Sequence, residues 1–467
     1  MTSMPTGLRI IIVGAGFCGL TAAIECKKRG MHPILIEAYA GPSSHGDLLD
    51  FVTNGGLVFE SWDNGKVAQL LNDSGVNNAK TLDYFNAENV LLRQDPWPQS
   101  KYSKGVFAGH RGCMHKIIYD YAVEIGVELR FGTRVAQYLD HATERGVVVD
   151  TGERIMGDVV LACDGPKSLA RSQLLELPES KVNSGYAIFR AFFTVTDEMR
   201  DDPLMKEIID PTEDKTRFWV GRDLHGFIYT WNKGRDCAWV LTHRDDTDIA
   251  ESWSFPAKRE DVLPYLDRAG FPETWRRVVE FTPNDRLLDY KLVWRDPLKT
   301  WLSPSKRCAV MGDAAHCHLP TSAQGACQAV EDAAAVAVCL EKAQGDVELA
   351  LQVFERIRYN RSHVIHQASI STRDIYHQND WTLEFVKAHP DSLIMPFYPW
   401  VVDYNVFETI EANFARLAAD VRSGKKGSIE QLALPAGGTY DAMKIVNSKM
   451  PDELRLPVGL NALKAAA

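Results

Sequence analysis

The chain has 467 residues, of which 45% are apolar and 24% charged, and its formal net charge is −10. These values are typical of a globular protein with two or three domains, and they argue against a nucleic-acid partner, because phosphate binding requires clustered Lys and Arg. Nine cysteines without a CxxC pair indicate buried free thiols and a cytoplasmic location, and no apolar run approaches the ~20 residues of a transmembrane helix.

A strand, a glycine turn and a helix open the chain. The β-branched run at 8–13 predicts a buried strand, and the GxGxxG glycines Gly14, Gly16 and Gly19 precede a predicted helix at 20–29. Such glycines permit a tight turn, the approach of a pyrophosphate and close helix packing. A second predicted strand ends at Glu37, about 20 residues later, where an acid binds ribose hydroxyls. The pattern predicts an ADP-ribose site of NAD or FAD.

Two later segments also place an acid directly after a predicted strand. In the first, Asp164 and Gly165 follow a strand predicted at 158–163. In the second, a strand predicted at 308–311 meets Asp313, and an Ala-rich helix begins at Gly325 and Ala326.

The second segment has the chemistry of a flavin site. Asp313 can accept hydrogen bonds from ribityl hydroxyls, and Pro320 can lie beside a flat ring. The free N–H groups of Gly325 and Ala326 and the helix dipole favour the ring end that becomes anionic on reduction. The two histidines between them, His316 and His318, lack the spacing of a metal site.

Between these segments, residues 184–244 alternate with a period of two and predict an antiparallel sheet. Phe227, Tyr229 and Trp231 share a face, and Trp219 lies in a neighbouring strand. These rings form either an aromatic core or the wall of an apolar substrate pocket. Arg190 also alternates onto an apolar face, where it either pairs within the sheet or has a function.

Together the motifs resemble those of the group A FAD-dependent monooxygenases, the aromatic-hydroxylase and salicylate-hydroxylase type. Asp164, Gly165, Ser168 and Arg171 match the family's DG motif, (G)xDGxxSxxR, in which Ala162 replaces the first glycine. Residues 312–325 match GDAAHxxxPxxGQG apart from Ala323, which replaces a glycine, and an acidic pair follows at 331–332. Fungal indole-alkaloid monooxygenases that form spiro-oxindoles are a similar subgroup.

The resemblance implies an α/β fold: a three-layer Rossmann-like FAD-binding domain, an inserted antiparallel β-sheet substrate domain and a helical C-terminal region. The FAD-binding parts are 1–80, 101–175 and 291–375, the substrate-domain parts are 81–100 and 176–290, and 376–467 form a cover or an interface.

The resemblance also implies roles for three residues. Arg111 would contact the flavin, although a surface arginine at a helix start is the alternative. Arg190 would lie over the flavin and orient or protonate the oxygenated substrate. Asp47, in the string HGDLLDF, would bind a basic amine of the substrate, and the alternative is a helix N-cap before LLDF.

No second GxGxxG follows a predicted strand. The resemblance therefore implies that NADPH or NADH binds transiently, and that the reduced flavin and O2 form a 4a-hydroperoxide that oxidises an electron-rich aromatic substrate. We expect indole 2,3-epoxidation of a fungal alkaloid, leading to a spiro-oxindole. The alternatives are hydroxylation of a phenol or salicylate-like acid, a flavoprotein halogenase or reductase (the halogenase string WxWxIP is missing), and a binding module without a flavin. The sequence does not predict the oligomeric state.

Overall fold

The computed structural model describes residues 7–425 except 43–45, 47, 99, 104, 142–143, 179–180, 247–254, 296–297, 391, 394 and 396. Its strands are β1 (Arg9–Val13), β2 (His32–Ile36), β3 (Leu48–Phe51), β4 (Thr81–Asn86), β5 (Leu91–Pro96), β6 (Phe107–His110), β7 (Glu128–Arg130), β8 (Val135–Asp140), β9 (Arg145–Val149), β10 (Arg154–Met156), β11 (Val159–Ala162), β12 (Lys181–Thr194), β13 (Thr216–Gly221), β14 (Leu224–Trp231), β15 (Asp236–Arg244), β16 (Phe255–Pro256), β17 (Leu288–Arg295) and β18 (Cys308–Val310). Its α-helices are α1 (Phe17–Lys28), α2 (Thr53–Glu60), α3 (Lys66–Asp73), α4 (Arg111–Glu124), α5 (Ala170–Gln173), α6 (Asp197–Asp201), α7 (Arg259–Ala269), α8 (Glu273–Phe281), α9 (Gly325–Lys342), α10 (Val347–Gln378), α11 (Leu383–Ala388), α12 (Pro399–Val402) and α13 (Val406–Arg422).

A five-stranded parallel sheet joins three distant parts of the chain in the order β18-β11-β1-β2-β7. Its central strands are short, β-branched and almost wholly buried, as expected of a sheet covered on both faces. Helices α1, α4 and α9 form one covering layer, and the antiparallel sheet β10-β9-β8 forms another. The predicted three-layer α/β fold is therefore confirmed. Since carboxyl ends of parallel strands meet at one edge, the three motif loops lie together there.

The second large sheet has eight strands in the order β16-β17-β12-β15-β14-β13-β4-β5. Its neighbours are antiparallel except β4 and β13, which run parallel. Its strands come from 81–96 and 181–295, so the sheet extends past 290 to Arg295. One face packs on α7 and α8. The other face packs on the end of α10 and on residues 311–324, which we call the β18–α9 loop.

The C-terminal helices contact both parts of the molecule. Helix α10 packs on α9 and reaches strands β13 and β14 of the eight-stranded sheet. Val401 and Val402 lie in the core of the parallel-sheet domain, whereas Leu393 and Met395 pack on the eight-stranded sheet. The domain division and the role of 376–467 stay predictions. Within the described ranges, no helix combines the length and the apolar character needed to cross a bilayer.

Candidate active site

Three glycines shape the turn between β1 and α1. Gly14 has a φ of +100°, and a Cβ there would lie 2.3 Å from the carbonyl oxygen of Cys163. A Cβ at Gly19 would lie 1.9 Å from the carbonyl oxygen of Gly14, so α1 can approach the turn only without a side chain. At Gly16, the N-cap of α1, a Cβ would meet nothing within 4 Å, which leaves space for a phosphate at the helix N-terminus.

Glu37 follows β2 and holds the glycine turn. One carboxylate oxygen accepts a hydrogen bond from the N–H of Ala15 (2.8 Å), and the other accepts one from the N–H of Tyr39 (2.9 Å). Each oxygen keeps a second lone pair, so the carboxylate can also accept from ribose hydroxyls. The structure thus brings Glu37 and the predicted phosphate turn together.

Asp164 and Gly165 lie at the same sheet edge, after β11. Asp164 Oδ2 accepts hydrogen bonds from the Tyr138 hydroxyl (2.8 Å) and the Leu169 N–H (3.1 Å). Its buried Oδ1 has no hydrogen-bond partner among the described residues, and an orphaned carboxylate oxygen of this kind fits a ligand with hydroxyl groups. Arg171 of the same motif donates to the carbonyl oxygen of Ala314 (3.1 Å), which ties this motif to the β18–α9 loop.

Asp313 occupies a 3₁₀ turn, Gly312–Ala314, directly after β18. Burial raises the pKa of its carboxyl group, and the nearby His316, Arg111 and Arg295 oppose that shift. Arg111 is the first residue of α4, and its Cζ lies 5.7 Å from the ring centroid of Phe17 at the start of α1. Arg111 is therefore near enough to Asp313 for its charge to lower the pKa of that carboxyl group. Arg295, at the end of β17, is a further cationic neighbour of Asp313 that the sequence pattern did not indicate.

The β18–α9 loop leads into the N-terminus of α9. Pro320 begins a 3₁₀ turn and is exposed, and Gly325 and Ala326 are the first two residues of α9. A Cβ at Gly325 would meet nothing within 4 Å. The first N–H groups of a helix have no intrahelical acceptor, so this end can stabilise an anionic ring system.

Ala323 has a φ of +50°, a left-handed conformation that favours glycine. We expect Ala323→Gly to raise the free energy of unfolding by about 0.5–1 kcal/mol, since the relief of steric strain exceeds the added entropy of the unfolded chain. Urea unfolding measures the change. As a control, Ala415→Gly in the exposed interior of α13 should cost about 1 kcal/mol. A destabilised Ala323→Gly would show that the turn carries no strain.

A buried charge network joins α9 to α10. Glu331 accepts hydrogen bonds from Arg358 and from Arg361, whose Nε and Nη2 each lie 2.9 Å from a carboxylate oxygen. Arg361 also donates to the carbonyl oxygen of Trp400 (2.8 Å), and Asn54 of α2 donates to Glu331 (2.5 Å). The side chains of Glu331, Arg358 and Arg361 are 0% exposed. Burial alone would raise the pKa of Glu331, but Arg361 and Arg358 lower it.

Asp332 connects this network to the β18–α9 loop. It accepts hydrogen bonds from Arg358 Nε (2.8 Å) and from the N–H of Gly312 (3.2 Å), and its Oδ2 lies 2.5 Å from His316 Nε2. Although burial disfavours the charged form, His316 and Arg358 lower the pKa of Asp332. The family's acidic pair therefore holds the turn that carries Asp313. A signal for Arg358 and Arg361 existed: their spacing of three places both on one face of a helix.

The two loop histidines have local partners. His316 pairs with Asp332, and His318 Nε2 lies 3.1 Å from the carbonyl oxygen of Ser362. In the part of the chain that the structure describes, no three His, Cys, Asp or Glu side chains are arranged to hold a metal ion.

Phe227, Tyr229 and Trp231 form a row of stacked rings on the face of the eight-stranded sheet that meets the β18–α9 loop. Adjacent centroids are 5.6 Å and 5.7 Å apart. Ala323 packs against the same apolar cluster. Trp231 Nε1 donates to the carbonyl oxygen of Ala108 (2.8 Å), which fixes the end of the row.

Trp219 lies on the opposite face, so its predicted place in this pocket is wrong. On the neighbouring strand β13, Phe218 pairs with Phe227 and Trp219 pairs with Gly226, and paired residues share a face. Trp219 is fully buried with its centroid 5.7 Å from that of Trp275 in α8.

Arg190 shares the face of the aromatic row. It pairs with Val240 of β15, which in turn pairs with Phe227 of β14. Its Cζ lies 5.4 Å from the ring centroid of Tyr290 on β17. Leu319 of the β18–α9 loop packs in the same cluster as Tyr290. Arg190 thus lies on the sheet face that meets the β18–α9 loop.

Asp47 lies outside the described residues. The residues that follow it, Leu48–Phe51, form strand β3, so the alternative of a helix over this string is wrong. The same strand carries an acid that the sequence analysis had not singled out: Asp50, whose Oδ2 lies 3.4 Å from the hydroxyl oxygen of Tyr229.

A Rossmann-like sheet with these motif loops, joined to an aromatic-faced sheet, defines the flavoprotein oxidoreductase class. Residues 8–349 match the family model described as "FAD binding domain". The chain is 30% identical to the FAD-dependent monooxygenase nanF of Aspergillus nanangensis, over 94% of this chain and 96% of that one. It is 31% identical to Notoamide E oxidase notB of an Aspergillus species, over 91% and 93%.

Among solved structures, CtdE in complex with FAD and its substrate 4 superposes with a TM-score of 0.82 at 27% identity, over 89% of this chain and all of that one. The chain therefore belongs to the FAD-binding-domain family and is an FAD-dependent monooxygenase. The site fits FAD, because a Cβ at Gly16 or Gly325 would meet nothing within 4 Å, and Asp164 Oδ1 has no hydrogen-bond donor among the described residues.

We expect Asp313→Ala to weaken FAD binding by about 1–3 kcal/mol, roughly 5- to 150-fold, because a charged acceptor for the ribityl hydroxyls is lost. Titration of the apoprotein with FAD measures this affinity. Asp120→Ala, on the exposed side of α4, is the control and should bind FAD normally. Unchanged affinity in Asp313→Ala would contradict the assigned position of the ribityl chain.

Proposed function

We propose that this monooxygenase uses NADPH or NADH and O2 to epoxidise the 2,3-bond of an indole in a fungal alkaloid, and that the epoxide rearranges to a spiro-oxindole. One oxygen atom of O2 enters the substrate and the other leaves as water, with NAD(P)H and a proton supplying the reducing equivalents. The proposal includes a transient NAD(P)H site and a cytoplasmic location.

One observation carries this proposal: the β18–α9 loop meets the aromatic face on both sides of Arg190. Leu319 packs near Tyr290 on one side, and Ala323 packs in the cluster of Phe227 and Tyr229 on the other. A flat electron-rich substrate held on this face would lie next to the residues that hold FAD. The name of the similar Notoamide E oxidase supports an alkaloid substrate.

When bound, FAD supplies the redox chemistry. The chain positions the reactants. The aromatic row binds the flat substrate and excludes water, and the Arg190 guanidinium donates hydrogen bonds to the oxygen that develops negative charge. Asp313 and the N-terminus of α9 hold the two ends of the flavin.

The test is product analysis under 18O2 with a panel of indoles and phenols. The proposal predicts that the protein purifies yellow with one non-covalent FAD per chain, consumes NADPH or NADH, and adds one labelled oxygen to an indole. Preferential oxidation of phenols would favour the hydroxylase alternative, and consumption of NAD(P)H with every substrate but no labelled product would contradict both.

A further inference from the structure

Asp50 lies on a two-stranded ribbon that faces the aromatic row. Strands β3 and β6 are antiparallel, with Phe51 opposite Phe107 and Asp50 opposite Ala108. Phe51 and Phe107 belong to the core of the parallel-sheet domain. Since side chains alternate along a strand, Asp50 points the other way, towards the eight-stranded sheet. Its contact with the Tyr229 hydroxyl is the result.

The Asp50 carboxyl group lacks the partners that a buried acid normally has. Its Oδ1 is buried without a hydrogen-bond partner in the described parts of the chain, and no described lysine or arginine forms an ion pair with it. Burial raises the pKa of Asp50 to about 7, and the Tyr229 hydroxyl opposes the shift. A cation placed at Oδ1 would satisfy this atom and stabilise the carboxylate.

We propose that Asp50 and the aromatic row form an anchor for a protonated amine of the substrate. The inference rests on the proposed function, because it assigns the amine end of the alkaloid. The carboxylate neutralises the ammonium group, and the faces of Tyr229 and Trp231 attract the same positive charge. An acidic substrate would be disfavoured here, since its carboxylate would face Asp50.

The charge at the other end of the row orients the substrate. Arg190 pairs across two strands with Phe227, and Tyr229 lies two residues further along the same strand. The strand spacing and the rise per residue therefore place the Cα atoms of Arg190 and Tyr229 about 12 Å apart. The Arg190 guanidinium repels an ammonium group and the Asp50 carboxylate attracts it. The amine therefore lies at Asp50, and the ring to be oxidised lies towards Arg190.

The inference predicts a pH dependence with a definite sign. Asp50 must be ionised to bind a cation, so the affinity for an amine should rise about tenfold from pH 6 to pH 8, while an alkyl ammonium stays protonated throughout. The titratable or charged groups on the surrounding elements include Tyr229, Arg190, His110, Cys327 and Glu331, and Tyr84 and Tyr376 lie near Tyr229. Because Asp50→Asn keeps all of them, it should abolish the rise if Asp50 is the titrating group.

Two indole probes test the anchor: tryptamine, which carries a protonated amine, and N-acetyltryptamine, which is neutral. Calorimetry gives the affinity of each for the FAD-loaded enzyme. We expect at least a tenfold preference for tryptamine in the wild type and in Tyr229→Phe, which keeps the carboxylate. The preference should fall below twofold in Asp50→Asn, while Asp120→Asn, an exposed control, should match the wild type.

The remaining outcomes overturn the inference. It fails if the wild type binds both probes equally, if it does not bind tryptamine at millimolar concentration, or if Asp47→Asn rather than Asp50→Asn removes the preference. FAD content shows that each variant is folded. None of these outcomes affects the 18O2 test, so the amine anchor can fail while the monooxygenase function stands, and a failed 18O2 test leaves the affinities measurable.

Discussion

Replacing Glu331 with glutamine should lower the free energy of unfolding by about 3–5 kcal/mol, because it leaves two buried arginines with one fewer carboxylate. Arg358 and Arg361 are 0% exposed, and Glu331 binds both. The amide has one acceptor oxygen instead of two and no charge, so it cannot bind Arg358, Arg361 and Asn54 as the carboxylate does, and α2, α9 and α10 separate from one another more easily. Urea unfolding of the FAD-loaded and FAD-free enzyme measures the loss.

The matched control is Glu124→Gln, which breaks the exposed ion pair with Lys66 and should cost less than about 1 kcal/mol. If Glu331→Gln lowered the free energy of unfolding by no more than this control does, the buried network would not have a central role in stability.

The effect of Glu331→Gln should also depend on pH. The pKa of Glu331 is lower in the folded protein than in the unfolded chain, so its charge stabilises the fold above the unfolded value and ceases to do so as the pH falls through the folded value. The difference between wild type and variant should therefore be constant from pH 6 to 8 and shrink below about pH 4. A difference that grows on acidification would contradict the lowered pKa.

The structure brings the candidate cofactor residues together as the local motifs predicted, because each motif acts over a few residues. The glycines at 14, 16 and 19 and the acid at 37 depend on one strand–turn–helix unit, and the structure joins them by the Ala15–Glu37 hydrogen bond. The same holds for Asp164 and Asp313, each directly after a strand of the parallel sheet. The fact that parallel strands end at one edge was enough to bring them together.

The sequence did not reveal the register between neighbouring strands or which distant elements pack on one another. Trp219 has the odd parity of Phe227, Tyr229 and Trp231, yet β13 pairs Phe218 with Phe227, and a shift of one residue reverses the face. The string at 48–51 forms a strand because it pairs with β6, a partner about 60 residues away. The spacing of Arg358 and Arg361 placed both on one helix face, but only the packing of α10 on α9 shows that Glu331 and Asp332 are their partners.

The largest catalytic effect should come from Arg190→Gln. The guanidinium lies on the aromatic face near the β18–α9 loop. In the proposed reaction, its charge acts mainly on the oxygen that becomes negative in the transition state. We expect the variant to keep FAD and to oxidise NADPH or NADH, but to form product about 100- to 1,000-fold more slowly, with hydrogen peroxide rising in its place. Coupled assays of NAD(P)H, peroxide and product measure this.

Arg217 provides the matched control for Arg190. It lies in the same sheet, and its Cζ is 5.5 Å from the ring centroid of Phe85. However, it pairs with Ile228 and so lies on the opposite face, which packs on α7 and α8. Arg217→Gln should therefore keep normal coupling, even if it lowers stability. Arg190→Lys keeps the charge without the planar fork, so we expect an intermediate product yield. If the wild type, Arg190→Gln and Arg217→Gln all converted the same share of NAD(P)H into product, Arg190 would only support the sheet, because oxygen transfer would then need no charge on the aromatic face.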